Sequence, residues 1–130
     1  MNRSSGATQI NELLVQMNRD GDFPVSVLAD AQGLPIAWAA KEEADPERQS
    51  AVVAMVQKAA LQAGKQLGMD STDEISFSDC NGHGVVCRVF EADSHRLILA
   101  VVLPDRDHTY RRVTNHAVSE IRRIGKQFWL

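Results

Sequence analysis

The segment from Leu97 to Leu103 is the longest apolar run in the chain, with seven consecutive apolar residues. Its length suits a β-strand and is far too short for a membrane-spanning helix, which needs about 20 apolar residues. A strand without alternating polar residues is typically covered on both faces. The run therefore predicts the central strand of a sheet that carries helices on both sides.

Three helices are predicted from apolar residues that recur every three or four positions. The first begins at Thr8, after a lead-in over residues 1–7 that is rich in Ser, Gly and Asn and is predicted to be disordered. The second begins at Asp45-Pro46, because proline suits the first helical position, and it ends near Leu67. The third begins at Pro104-Asp105. The predicted order is helix, two strands, helix, three strands, helix.

The first two predicted strands, Val25–Ala29 and Leu34–Trp38, are joined by a turn that ends at Gly33 and form a hairpin. Pro35 cannot donate a hydrogen bond to a neighbouring strand, so the second strand is predicted to lie at a sheet edge. With hairpin connections elsewhere, the simplest architecture is a five-stranded antiparallel sheet with helices on both faces. The fold class is thus an α/β (α+β) sandwich.

The pair Asn81-Gly82 predicts a two-residue turn that joins strands over residues 74–78 and 85–90. In that register Cys87 lies opposite Ser76, and its sulfur is roughly 13 Å from that of Cys80. Both cysteines are therefore predicted to be free, because the spacing suits neither a disulfide nor a shared tetrahedral metal ion. No metal site and no cofactor are expected.

Charge and motifs exclude several classes of function. The chain has 130 residues and a net charge of −3, which fits one domain over residues 8–130 without a general basic surface for nucleic acid. The N-terminal residues lack the apolar core of a signal peptide, so a cytoplasmic location is expected. No nucleophile elbow, zinc-binding helix motif or phosphate-binding loop occurs. The chain is therefore predicted not to be an enzyme.

The hairpin from Val27 to Ala37, with Ala29-Asp30 before its turn and Gly33-Leu34-Pro35 after it, resembles the first hairpin of the roadblock/dynein-light-chain family. An Ala-rich second helix, an Asn-Gly hairpin and an apolar central strand follow in that family's order. The similarity extends over about residues 8–127.

This resemblance implies a profilin-like sandwich with strand order 2-1-5-4-3. It implies a homodimer formed through the second helix and third strand, and a non-catalytic regulator or scaffold of a Ras-like small GTPase, similar to bacterial gliding-motility regulators. Two alternatives remain open: a light-chain-type adaptor without effect on GTP hydrolysis, and a small-molecule sensor.

The second helix has more apolar surface than one sheet can cover, and small residues recur along it. With the resemblance, this predicts a self-complementary dimer interface. The sequence leaves open which arc of the helix faces the sheet and which faces the partner. The predicted interface residues are Ala54, Gln57, Ala60, Leu61 and Gly64 of the second helix, with Ile75 and Phe77 of the third strand.

The last helix has a basic side. Arg112, Arg122 and Arg123 are the predicted contacts for an acidic surface of a partner or for an anionic membrane. The alternative is an ordinary solvated face, on which basic side chains near the helix C-terminus interact favourably with the helix dipole.

Overall fold

The structure, a computed structural model, describes residues 4–128, and the side chains of residues 6–127. The elements follow the predicted order. Their bounds are α1 Ser4–Gly21, β1 Val25–Asp30, β2 Pro35–Ala40, α2 Pro46–Gln66, β3 Glu74–Ser78, β4 Gly84–Ala92, β5 His95–Leu103 and α3 Arg111–Phe128.

The five strands form one sheet in the order β2-β1-β5-β4-β3, in which every neighbouring pair is antiparallel. This confirms the predicted fold class and strand order. β5 lies in the centre, and β2, which begins at Pro35, lies at one edge as predicted. β3 forms the other edge.

Side chains alternate between the two faces of the sheet and produce two cores. Alternate residues of β5 contribute to each core. The smaller core contains Val53 of α2, and α2 lies mainly over β1, which leaves the β3 side of that face less covered. The larger core contains residues of α1 and α3, among them Ile10, Leu14, Met17, Ala117, Ile121 and Ile124.

The start of α1 differs from the prediction. The helix begins at Ser4 rather than Thr8, so the predicted disordered lead-in is wrong for residues 4–7. Gly6 is buried, which indicates that packing favours helix here despite residues of low helix propensity. Residues 1–3 lie outside the described part of the chain.

The start of α3 also differs, because the helix begins at Arg111 and not at Pro104-Asp105. Contacts with distant parts of the chain hold the preceding residues as a loop. The guanidinium of Arg106 donates to the carbonyl oxygens of Asp79 and Cys80, and the Nε2 of His108 donates to a carbonyl oxygen at the end of α1. These tertiary contacts outweigh the local helix-start signal.

The β3–β4 turn contains five residues instead of the predicted two, and its register is shifted by one. Cys87 lies opposite Ile75 rather than Ser76. The carboxylate of Asp79 accepts hydrogen bonds from the backbone N–H groups of Asn81 and His83, which stabilises the longer turn. Both cysteines are nevertheless free: Cys80 is exposed in the turn and Cys87 is buried.

None of the described helices is long and apolar enough to cross a membrane.

Candidate interaction surface

The outward side of α2 carries an exposed apolar stripe. Met55 is 68% exposed and Val52 is 49% exposed, although both are large apolar side chains. Exposed or half-buried apolar residues continue the stripe at helical spacing, so that it consists of Val52, Met55, Val56, Ala59 and Ala63. A helix that served only its own sheet would need no such second apolar face.

Several residues predicted for the dimer interface are buried within the chain instead. Ala54 and Gln57 are 4% and 3% exposed, and Gly64 is also buried. These three residues therefore present almost no surface to a second chain. Ala60 and Leu61 are half-buried at the flanks of the helix.

Two small residues of α2, Ala51 and Ala54, accommodate the β1–β2 turn. Gly33 has a φ of +91°, and a Cβ at this position would lie 3.3 Å from the Cα of Ala51 and 3.4 Å from the Cβ of Ala54. The turn thus packs closely on the helix. This contact within the chain accounts for the small side chain of Ala54, which was predicted to contact a partner.

An apolar groove of about 240 Å³ separates α2 from the β3 side of the sheet. Phe77 of β3 is 50% exposed at the groove, and Ile75 packs against the smaller core on the same face. Burial raises the pKa of the Cys87 thiol to about 11. The lining is almost entirely apolar and includes Val52, Val53, Val56, Phe77, Val85, Cys87, Ala100 and Val102. We call the α2 stripe, this groove and the edge of β3 the α2–β3 surface.

The two edges of the sheet differ in their hydrogen bonding. At β2, the backbone N–H of Trp38 donates to Asn11 Oδ1 at 3.3 Å, and Asn18 Nδ2 donates to the Ala39 carbonyl at 3.1 Å. Within the described residues, β3 pairs only with β4, and no side chain hydrogen-bonds to its backbone. The outward backbone groups of β3 are therefore the ones available for pairing with another strand.

The predicted basic contacts on α3 do not converge. Arg122 donates to the Glu91 carbonyl at 3.0 Å and lies over the ring of Phe90. Arg123 forms an ion pair with a glutamate one turn earlier on α3, at 2.8 Å. Arg112 lines a separate open cleft between α1 and α3, about 15 Å from the other two along the helix. Two of the three guanidinium groups thus already have partners within the chain.

Among the residues that the structure describes, no group of three or more His, Cys, Asp or Glu side chains is arranged to hold a metal ion. The four histidines occupy separate places: His83 lies in the β3–β4 turn, His95 at the start of β5, His108 in the loop before α3, and His116 on the exposed side of α3.

No protein-family model and no curated protein sequence matches the chain. Solved structures do match. MglB of Myxococcus xanthus aligns with a TM-score of 0.79 and 19% identity, over 94% of this chain and 91% of that one. The gliding protein MglB of Thermus thermophilus aligns with a TM-score of 0.76 and 19% identity, over 98% of this chain and 93% of that one.

A Roadblock/LC7 domain from Streptomyces avermitilis aligns with a TM-score of 0.69 and 13% identity, over 92% of this chain and 96% of that one. Profilins of Acanthamoeba castellanii align at TM-scores of 0.53 and 0.55, in keeping with a profilin-like sandwich. At these identities the similarity concerns the fold. The chain has the roadblock fold.

Proposed function

We propose that this chain is a homodimeric, non-catalytic regulator or scaffold of a Ras-like small GTPase. The observation that carries the proposal is the α2–β3 surface, on which an apolar stripe, an apolar groove and an unpaired strand edge lie side by side in a roadblock fold. The partner class is supported by the family resemblance, because roadblock proteins act on Ras-like GTPases. Self-association has a precedent in a similar solved structure, that of MglB with a tetrameric arrangement.

The proposed dimer pairs two α2–β3 surfaces about a twofold axis. Such an axis requires one self-complementary patch, and an apolar stripe beside a free strand edge meets that requirement. Pairing of β3 with its copy gives the outward backbone groups of the strand hydrogen-bond partners and extends the sheet across both chains. Met55, Val52 and Phe77 are the central contacts of this interface, with Ile75 beside them and Ala60 and Leu61 at its border.

A regulatory role agrees with the chemistry of the surface. The groove is almost entirely apolar, which suits contact with protein, and the sequence has no phosphate-binding loop at a helix N-terminus that would cradle GTP. The chain alone is therefore expected neither to bind nor to hydrolyse GTP. Arg112, Arg122 and Arg123 remain proposed contacts for acidic groups of the GTPase.

The test combines purified chain with small GTPases of the same organism, each loaded with GDP or with a non-hydrolysable GTP analogue. We expect one GTPase to co-elute with the chain in gel filtration.

Met55→Lys places a charge in the centre of the stripe and should abolish the dimer. Ser119→Lys adds the same charge to an exposed position of α3 and serves as the matched control.

The proposal is wrong if no small GTPase of the organism binds in either nucleotide state. Binding without a change in the rate of GTP hydrolysis identifies the adaptor role instead. Tight binding of a small apolar molecule in the groove, with no GTPase partner, identifies the sensor.

A further inference from the structure

Glu74 is the only charged residue of β3, the strand at the open edge. It lies at the first position of the strand, on the face opposite Ile75 and Phe77 because side chains alternate along a strand. Its side chain is only 19% exposed. A carboxylate this covered needs partners, since an unpaired buried charge is costly.

The partners of Glu74 are Arg111, the first residue of α3, and Tyr110 immediately before it. The hydroxyl of Tyr110 donates to Oε2 at 2.8 Å, and the guanidinium of Arg111 donates to the same oxygen at 3.3 Å. The hydrogen bond to Glu74 raises the pKa of Tyr110, so this hydroxyl keeps the proton that it donates. The edge strand is thus connected to the layer of helices on the far side of the sheet.

Arg88 of β4 completes the connection. It lies directly opposite Glu74, its side chain is 12% exposed, and its Nε is 3.6 Å from Oε1 of the carboxylate. Its two terminal nitrogens donate to Thr114 Oγ1 at 2.8 Å and to Asn115 Oδ1 at 2.7 Å. The guanidinium is therefore held by α3 while it faces the carboxylate of β3.

β3 has few other restraints. Within residues 4–128 it pairs with β4 alone, with one further backbone hydrogen bond from Val89 to the carbonyl of Asp73 just before the strand. Ile75 packs against the smaller core, but Ser76, Phe77 and Ser78 are exposed, and the groove separates the strand from α2. An edge strand with so little packing is expected to open locally unless specific contacts hold it. The contacts of Glu74 are located at the end of the strand where such opening would begin.

We propose that Glu74 and Tyr110 are positioning residues that hold β3 in register beside β4, and thereby keep its outer edge ready to pair with a second copy. This inference rests on the proposed self-association through the α2–β3 surface. It assigns to the start of α3 a role in dimer formation, although α3 lies on the other face of the sheet from α2.

The decisive variant is Tyr110→Phe, which removes one hydroxyl and keeps the ring packed. The lost hydrogen bond lies within each chain, so we expect chains with β3 detached to become about tenfold or more populated, and the dimer dissociation constant to rise at least about twofold because both chains need the paired edge. In dilute, monomeric protein, amide hydrogen exchange should accelerate about tenfold in residues 74–78 and stay unchanged in β5. Glu120→Gln, which removes an exposed ion pair on the same helix, is the control and should leave both measurements unchanged.

A second pair of variants tests the carboxylate itself. Glu74→Gln keeps an oxygen that can accept from Tyr110, whereas Glu74→Ala does not. Glu74→Gln should therefore retain more of the dimer than Glu74→Ala. If Glu74 only stabilised the fold as a whole, the loss of dimer affinity would follow the fall in the thermal midpoint of unfolding. The faster hydrogen exchange would then not be confined to β3.

The outcomes separate this inference from the proposed function. A dimeric wild type whose dissociation constant changes less than twofold in Tyr110→Phe overturns the inference and leaves the dimer intact. A monomeric wild type refutes the proposed dimer. In that case the exchange of residues 74–78 still tests the positioning role, because unchanged exchange in Tyr110→Phe overturns it.

Discussion

Shortening the Met55 side chain to alanine tests how much the α2 stripe contributes to the free energy of dimer formation. Met55 is 68% exposed in the single chain. Full burial of a methionine side chain contributes about 1.5–3 kcal/mol, so coverage of the exposed part contributes about 1–2 kcal/mol for each copy. A symmetric dimer covers two copies, and alanine keeps one methyl group. We therefore expect Met55→Ala to weaken the dimer by about 1.5–3 kcal/mol, which raises its dissociation constant about tenfold to 150-fold.

The assay is sedimentation velocity over a concentration series, with the free energy of unfolding of the dilute chain measured in parallel. Alanine is at least as good a helix former as methionine, so the unfolding free energy should change by less than about 0.5 kcal/mol. Leu34→Ala is the matched control, because Leu34 is 63% exposed at the β1–β2 turn, outside the proposed interface. A change below threefold in Met55→Ala, or an equal change in Leu34→Ala, would refute the reasoning.

Three further predictions concern the single chain. A thiol reagent at pH 8 should label the exposed Cys80 and spare Cys87, because burial raises the pKa of the Cys87 thiol to about 11. Equal labelling rates of the two cysteines in the native protein would contradict this prediction. Gly21→Ala should lower the free energy of unfolding by more than about 2 kcal/mol in urea titrations, since its Cβ would overlap the ring of Phe23; an unchanged midpoint would contradict it. Gly64→Ala should raise that free energy by about 0.5–1 kcal/mol, because a methyl group fits there and glycine disfavours helix; a loss of stability would show that the site is tighter than described.

Local signals predicted the elements that depend on local chemistry. The start of α2 is one case, because the Asp45 side chain accepts from the backbone N–H of Arg48 as an N-cap. The end of α2 is another, since Gly68 has a φ of +77° as expected for a helix stop. The apolar run that became β5 predicted a strand buried on both faces, and the structure confirms it. The strand order came from the family resemblance.

Features that depend on contacts between distant parts of the chain were not predicted from the sequence. The loop before α3 is held by Arg106, His108 and Tyr110, whose partners lie in the β3–β4 turn, at the end of α1 and on β3. The register of β3 depends on the side chain of Asp79, which makes the turn longer than the Asn-Gly signal indicates. Neither contact has a signature within a short window of sequence.

The sequence also did not determine which side of α2 faces the sheet. Apolar and small residues surround much of the helix, so periodicity alone did not distinguish the arc that contacts the sheet. The fit of Gly33 against Ala51 and Ala54 shows that these two small residues accommodate the chain's own hairpin. The larger exposed side chains, Val52 and Met55, lie on the free side. The exposure that marks this side as a candidate interaction surface becomes visible only in the structure.

The most direct test of self-association through the α2–β3 surface is amide hydrogen exchange of the wild-type chain at low and high protein concentration. We expect residues 74–78 and the α2 segment around Met55 to become more protected as the concentration rises to tens of micromolar. The β2 edge, residues 35–40, should exchange at the same rate throughout. Exchange independent of concentration everywhere, or added protection confined to β2, would contradict the account.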